Sequence, residues 1–377
     1  TFETYDQLVG QEADVFYSNV TSNNALDGAA TWGYDKWTAF IGDRWSITPD
    51  LELTFGVRYE RYEQSDSPAF SQTFNDLYGV DTSSNLDGKD LFLPRVGFLW
   101  TPFNGASLSG GFGLFAGGNP QVWVSNAFQA PVVGASGDFS GVSLTSIPQE
   151  LLDEVASGTP LPLDYIAEDF EIPSDWKASL RWQQDIYGYR FTAQYLYTKA
   201  RDGFGWQLVP HLLDGDALPT GTAPDGRVIY ADLNDLGIAN LTRLNNIDGA
   251  ESHVFSLALG KVYNNGLSFD VSYAYTDAEV VSEGTSSRGI SNWRGQYTVD
   301  QNFPDPRTSP FQIEHSWKFN FAYEAQWWSD NITRFDVFGR VFRGDTWGTT
   351  FDVSSSNALF GRAGLNESPF DNRPLYI

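Results

Sequence analysis

The chain has no cysteine and no methionine, and only three histidines in 377 residues. Without cysteine it can hold no disulfide, no thiolate metal centre and no cysteine nucleophile. Three histidines leave little for a His-rich metal site. Bases are scarce too: 23 Lys and Arg face 48 Asp and Glu, a net charge of -25. Clustered Lys and Arg are what bind phosphates, so a nucleic-acid surface and a basic membrane-surface patch are both excluded. Long apolar runs are missing. Mean hydropathy is -0.32, and no stretch approaches the roughly 18 apolar residues of a spanning helix. No signal peptide opens the chain. A natural chain of this length normally contains methionine, so a processed product or fragment is expected, with Thr1 not the original start.

Aromatic residues, by contrast, make up 16% of the chain, far more than a disordered acidic polymer carries. A polar average rich in Trp, Tyr and Gly fits a half-wet β structure. One such structure is the membrane architecture that hydropathy overlooks, the β-barrel.

Alternation of period two is the dominant pattern. Leu267, Phe269, Val271, Tyr273 and Tyr275 are separated by small or polar residues, which describes a strand with one apolar face. Phe255, Leu257 and Leu259 alternate just upstream, and Asn264-Asn265-Gly266 joins the two runs. Asn-Gly is a strong hairpin signal. The same unit recurs around Pro49-Asp50, Asn104-Gly105, Tyr187-Gly188 and Asp330-Asn331. About five hairpins and about ten strands are expected, each about ten residues long, the length of a tilted membrane-crossing strand.

The connections are unequal. Turns within hairpins are short, whereas the linkers at 64–90, 116–173, 200–250 and 277–310 are long. Compact soluble domains rarely carry loops beyond about 15 residues. Short turns at one end and long loops at the other are typical of outer-membrane barrels. Those four linkers hold 25 acids and 7 bases, so the acidity is concentrated on one rim. Within the second linker, Ser146-Ile147-Pro148-Gln149 predicts an N-cap at Ser146. A helix of about two turns follows, with Leu151, Leu152 and Val155 on its apolar side and Ser157-Gly158 at its end.

The other strand face is polar, with Glu52, Arg58, Glu60, Lys177, Arg181, Lys318, Glu324 and Arg340. Small residues such as Gly110, Gly260 and Ser272 are also expected on it. Alternation fits either a soluble sandwich or a barrel in lipid. Strand length, loop asymmetry and the aromatic strand ends (Tyr59, Trp100, Trp176, Trp327) favour the barrel.

The stretch from Phe40 to Glu60, with Asp43-Arg44-Trp45-Ser46-Ile47-Thr48 and Gly56-Val57-Arg58-Tyr59-Glu60, resembles the barrel hairpin of TonB-dependent outer-membrane receptors. Gly42 replaces the usual Gln. Leu93-Pro94-Arg95-Val96-Gly97 looks like that family's next strand, and Gly110-Gly111-Phe112-Gly113-Leu114-Phe115 like the one after, without its Arg. The long loop with its small helix and Asn119-Pro120 is similar to the Oar-like branch. The resemblance covers most of the chain as a hairpin pattern and is specific in residues 34–116. It implies a transmembrane antiparallel β-barrel, here a partial sheet of about ten strands from a 22-stranded barrel. It also implies a plug domain and a TonB-binding box, neither of which is recognisable between Thr1 and Ile377. The whole of residues 1–377 is then part of one barrel domain. The strand near Tyr34–Trp45 is not expected to pair with the one near Thr333–Phe342.

Chemical motifs are few. Gly111-Phe112-Gly113 with Gly117-Gly118 does not meet a phosphate-loop pattern, and glycines relieving crowding in a curved strand explain it better. His211, His253 and His315 have no metalloprotease spacing, and no nucleophile elbow is present. Asp214, Asp216 and Asp225 are oxygen donors of the type calcium takes, but the EF-hand spacing is absent and a solvated acidic face accounts for them better. Trp123, Phe128, Trp206 and Trp293 lie in loops, where they either stack on a ligand or pack loop against loop. Arg58, Arg95 and Arg181 are expected in the lumen, paired with acids such as Glu52 and Glu60. No catalytic residue and no required cofactor is expected, and the chain reads as a non-enzyme. The resemblance implies TonB-energised uptake of a scarce solute, with lipid and the TonB complex as partners. The alternatives are a self-contained ten-strand barrel serving as passive pore or surface enzyme, and a soluble glycan-binding β protein.

Overall fold

The computed structural model describes residues 4–344, apart from 118–120, 142–145, 223–225, 227 and 297, together with the backbone of 350–351 and 373–374. Ten long strands form its wall. They are β1 (Asp35–Thr48), β2 (Leu51–Glu63), β3 (Asp90–Trp100), β4 (Ala106–Ala116), β5 (Ser174–Ile186), β6 (Tyr189–Ala200), β7 (Glu251–Val262), β8 (Leu267–Val280), β9 (His315–Trp328) and β10 (Asn331–Phe342). Each is hydrogen-bonded, antiparallel, to its neighbours in sequence, so the sheet is an uninterrupted meander from β1 to β10. The two outermost strands, β1 and β10, do not pair with each other. The sheet is therefore open, as expected, and the ten-strand closed barrel is not the arrangement found.

Local chemistry explains the turns. Tyr187 and Gly188 both have positive φ, 51° and 75°, the conformation of a two-residue turn whose twist matches antiparallel strands. At the β7–β8 turn Gly266 has φ 87°, and a side chain there would run into the Glu324 carbonyl. All five short turns lie at one end of the meander. The long connections all lie at the other, where β8 runs on to Val280, four residues past its expected end, and Arg307–Thr308 adds a short strand beside it.

Register assigns the faces. Leu257 stands opposite Tyr273 and Ala193, and Ser256 opposite Ala274 and Gln194. The odd-numbered face of β7 and β8 is apolar and the even-numbered face small or polar. Carried across the sheet, the apolar face presents Ile41, Phe55, Val96, Phe112, Phe321 and Val337, all exposed. A soluble fold would bury such a face, so it needs an apolar surrounding. Aromatic pairs reinforce it, with Phe112 and Trp176 stacked at 4.9 Å and Tyr273 and Trp317 in tilted contact at 4.7 Å. Gly110 pairs with Phe98 and Leu180 and so lies on this apolar face, not on the polar one as expected. Its parity matches Leu108 and Phe112, and a residue without a side chain carries no polarity of its own.

The loops fold into a cap with its own core. Leu86, Val124, Ile166, Phe170, Trp206, Leu208, Leu244 and Trp293 are buried together, and Tyr62, Leu91 and Leu93 at the strand ends join them. A small three-stranded sheet organises the cap, with Thr242–Asn246 between Phe204–Leu208 (antiparallel) and Asp164–Ile166 (parallel). The segment ahead of β1 belongs to the cap as well, since Ala13–Asn19 pairs with Val133–Phe139. The helix Gln149–Ser157 covers that pair with Leu151 and Val155. The helix has the expected length, but Pro148 occupies its N-cap and no side chain caps it. The fixed φ of proline starts the helix, in place of Ser146.

Candidate functional site: the polar wall and the loop cap

Two surfaces are candidates for binding, namely the polar face of the wall and the cap above it. Within the ten strands, polar-face positions carry ten Lys or Arg against seven Asp or Glu. The loops have the opposite balance. A wall with a positive excess thus lies below an acidic rim, and charged residues on one strand face call for a wet lumen behind an apolar outer face.

Most wall charges are paired. Glu60, 3% exposed at its side chain, takes Lys36 Nζ and Arg58 Nε, each at 2.6 Å. The expected Arg58–Glu60 pair is therefore present. Glu52 pairs instead with Arg44, at 3.3 Å. Arg181 donates to Gln183 Oε1 at 3.3 Å. Arg95, like Arg181, lacks the expected acid partner among the described residues. Its guanidinium lies 4.7 Å from the Phe115 ring centroid, with no carboxylate within 4.0 Å among the described residues. Lys177 approaches the same ring, at 6.0 Å, and pairs with Asp175 at 3.4 Å. These groups border a cavity of about 690 Å³ with Phe40, Arg58 and Thr198.

Glycines shape that cavity. Gly42, Gly56, Gly97, Gly111 and Gly113 share the polar face on four adjacent strands. A Cβ on Gly56 would lie 2.7 Å from the Ile41 carbonyl oxygen, and one on Gly113 2.7 Å from Arg95 Cβ. The backbones approach too closely there for any side chain. Inward glycines of this kind let a sheet bend sharply into a barrel corner.

In the cap, the four loop aromatics are packed and not splayed. Trp206 and Trp293 are each 1% exposed. Trp123 lies 4.1 Å from Phe204 and 5.6 Å from Trp206, and its Nε1 donates to the Ser286 carbonyl. Phe128 stacks on Trp32 at 5.0 Å. Their geometry is that of loop-to-loop packing. Trp293 Nε1 donates to Asn302 Oδ1 at 2.8 Å, and that oxygen also accepts the Leu208 amide. Asn302, fully buried, ties three loop segments together. Nothing in the sequence singles it out, because its role depends on contacts 94 residues away.

Two further groups emerge only in the structure. His211 lies between Tyr230 (4.5 Å) and Trp293 (5.8 Å), with Nδ1 2.9 Å from the Ala217 carbonyl. Burial lowers its pKa. Asp164 lies against Gly289 and Trp206, and burial raises its pKa to about 6 against the lowering pull of Arg288. Of the acids considered for metal, Asp214 already accepts from Tyr78 Oη and from the Asp216 amide. Burial and that carboxylate raise the Tyr78 pKa to about 12. Asp225, like Asn119-Pro120, lies outside the described residues. No group of three or more acids or histidines converges as a metal site among the described residues.

Solved structures with a similar fold include the FrpB iron transporter from Neisseria meningitidis (F5-1 variant). That match has 12% identity and a TM-score of 0.43, covering 83% of this chain and 34% of FrpB. The ferric enterobactin receptor PfeA from Pseudomonas aeruginosa matches at 12% identity with a TM-score of 0.45, over 81% of this chain and 32% of that one. The copper transporter OprC matches at 13% identity with a TM-score of 0.42, over 78% and 33%. The chain thus spans about a third of the length of each. No curated protein matches. The model of the outer membrane beta barrel domain matches residues 4–359. With its meander of lipid-length strands, apolar outer face and charged inner face, the chain belongs to that outer-membrane β-barrel family and is a bacterial outer-membrane protein.

Proposed function

We propose that this chain is wall and loop cap of a TonB-dependent outer-membrane receptor that imports a scarce solute. The observation that carries the reading is the layered polarity of one sheet: an apolar lipid face, a charged lumen face with a positive excess, and an acidic packed cap over its mouth. Import needs a wet path that is guarded and not freely open, and such a cap is a guard. The hairpin resemblance in residues 34–116 supports the TonB-dependent class and, through the loop pattern, the Oar-like branch. No covalent chemistry is required of the wall, so its residues act by binding and by charge. Trp123 and Phe128, at the margin of the cap core, and Arg58 and Arg95 on the wall are the contacts we assign to the solute.

The test is depletion of solutes from spent medium by cells carrying the full-length gene and by a deletion strain, with and without a protonophore. Energised import predicts at least one solute depleted only by the gene-carrying cells, with the depletion abolished by the protonophore. Depletion that persists without the proton gradient would favour a passive pore.

A further inference from the structure

We propose that the cavity beside Arg95 and Lys177 on the lumen wall binds the carboxylate of an aromatic solute. This rests on the reading of the polar face as a lumen and goes further by naming the ligand chemistry. Two cations converge on one ring there, Arg95 at 4.7 Å and Lys177 at 6.0 Å from the Phe115 centroid. One carboxylate, Asp175, serves them, through Lys177. Glu60, on the same face of the adjacent strand, is already held by Lys36 and Arg58. One positive charge at the cavity is therefore left without an anionic partner among the described residues.

The cavity's shape suits a flat anion. Gly56, Gly97 and Gly111 leave its floor without side chains, and a Cβ on Gly56 would lie 2.7 Å from the Ile41 carbonyl oxygen. Phe40 and Phe115 give it aromatic walls. A planar guanidinium on an aromatic face presents its N–H fork sideways, the geometry that takes a carboxylate with two hydrogen bonds. The volume, about 690 Å³, is that of a small-molecule site. The acidic rim repels free polyanions, so the solute is a monoanion or a zwitterion whose cationic end meets the loops.

The experiment is equilibrium binding of benzoate, with benzyl alcohol as its uncharged counterpart, to the full-length protein in detergent micelles. Benzoate should bind at millimolar concentration or better and at least tenfold more tightly than benzyl alcohol. Arg95→Gln should weaken benzoate about tenfold, the scale of one charge-assisted hydrogen bond, and leave benzyl alcohol unchanged. Retention of the heat-dependent gel shift would confirm that the variant folds. Arg95→Lys, which keeps the charge and loses the fork, should fall between the two and serves if Arg95→Gln does not fold. Equal affinity for the two probes, or benzoate binding indifferent to Arg95, would overturn the proposal. So would absence of benzoate binding in the parent together with a lower melting temperature of Arg95→Gln, because another segment of the full-length protein would then hold the cations. The binding needs no energy source, so its failure is separate from failure of the import reading.

Discussion

Gly42 faces Gly56 across β1 and β2, and a Cβ on Gly56 would come within 2.7 Å of the Ile41 carbonyl oxygen and 3.0 Å of Gly42 Cα. This contact is backbone on backbone, so no rotamer change can relieve it. Gly56→Val should cost about 1–3 kcal/mol of folding stability, the range for overpacking a close contact, or block assembly of the corner outright. Gly215→Ala, at a loop position with nothing within 4 Å, should be near neutral. Urea titrations of both variants refolded into vesicles would check this.

Asp164 gives the cap a pH dependence. Its folded pKa, about 6, lies above the ordinary carboxylate value of 3.8, because burial penalises the charge. The folded state therefore binds the extra proton between those values, and stability falls as pH rises through that window. The contribution is complete below about pH 4 and lost above about pH 6, amounting to at most about 3 kcal/mol for a two-unit shift. Asp164→Asn should flatten the dependence and stabilise the cap at pH 7.5. Near-UV circular dichroism during urea titration at pH 4, 5, 6 and 7.5 would show a gap that widens with pH.

Calcium should contribute nothing to cap stability. The Asp214 carboxylate already accepts from Tyr78 and from the Asp216 amide, and no acidic cluster converges among the described residues. Adding EGTA should leave the melting temperature unchanged. A drop of several degrees, restored by calcium, would place a cation in the rim and revive the calcium reading of Asp214, Asp216 and Asp225.

The wall predicts opposite costs for neighbouring residues. Leu257→Arg should cost about 2–4 kcal/mol near the bilayer midplane, whereas Ser256→Arg, on the wet face, should cost far less. A folding titration into phosphatidylcholine vesicles measures both, and equal costs would contradict the face assignment.

The wall was legible from the sequence because side-chain period and hairpin chemistry are local. Leu267 to Tyr275 alternates without a break, and Asn265-Gly266 marks its turn. Face assignment failed at Gly110, where there is no side chain to read, although the parity of Leu108 and Phe112 held the answer. Ser146 was a reasonable cap, but Pro148 fixes the backbone two residues later. The cap was not legible. Its three-stranded sheet joins residues from 164, 204 and 242, and one pairing is parallel. Such contacts depend on the wall bringing the loops together. For the same reason Trp206 and Trp293 look alike in sequence whether they stack on a ligand or, as here, fill a core. Arg95 was expected to have an acid partner, but its position opposite Gly56 and Gly113 leaves none beside it.

The central claim is that one face of this sheet meets lipid and the other meets water. Residues 1–377 contain no cysteine to compete with an introduced thiol, and any cysteine elsewhere in the full-length protein is first replaced by serine. Single cysteines at Leu257, Ala258 and Leu259 of β7, and at Ser272, Tyr273 and Ala274 of β8, can be labelled with bimane in the full-length protein in vesicles. Lipid contact is then read by quenching from brominated acyl chains. Strong quenching at 257, 259 and 273, with weak quenching at 258, 272 and 274, is the predicted result. Quenching without that alternation, or with the two sets exchanged, would contradict it.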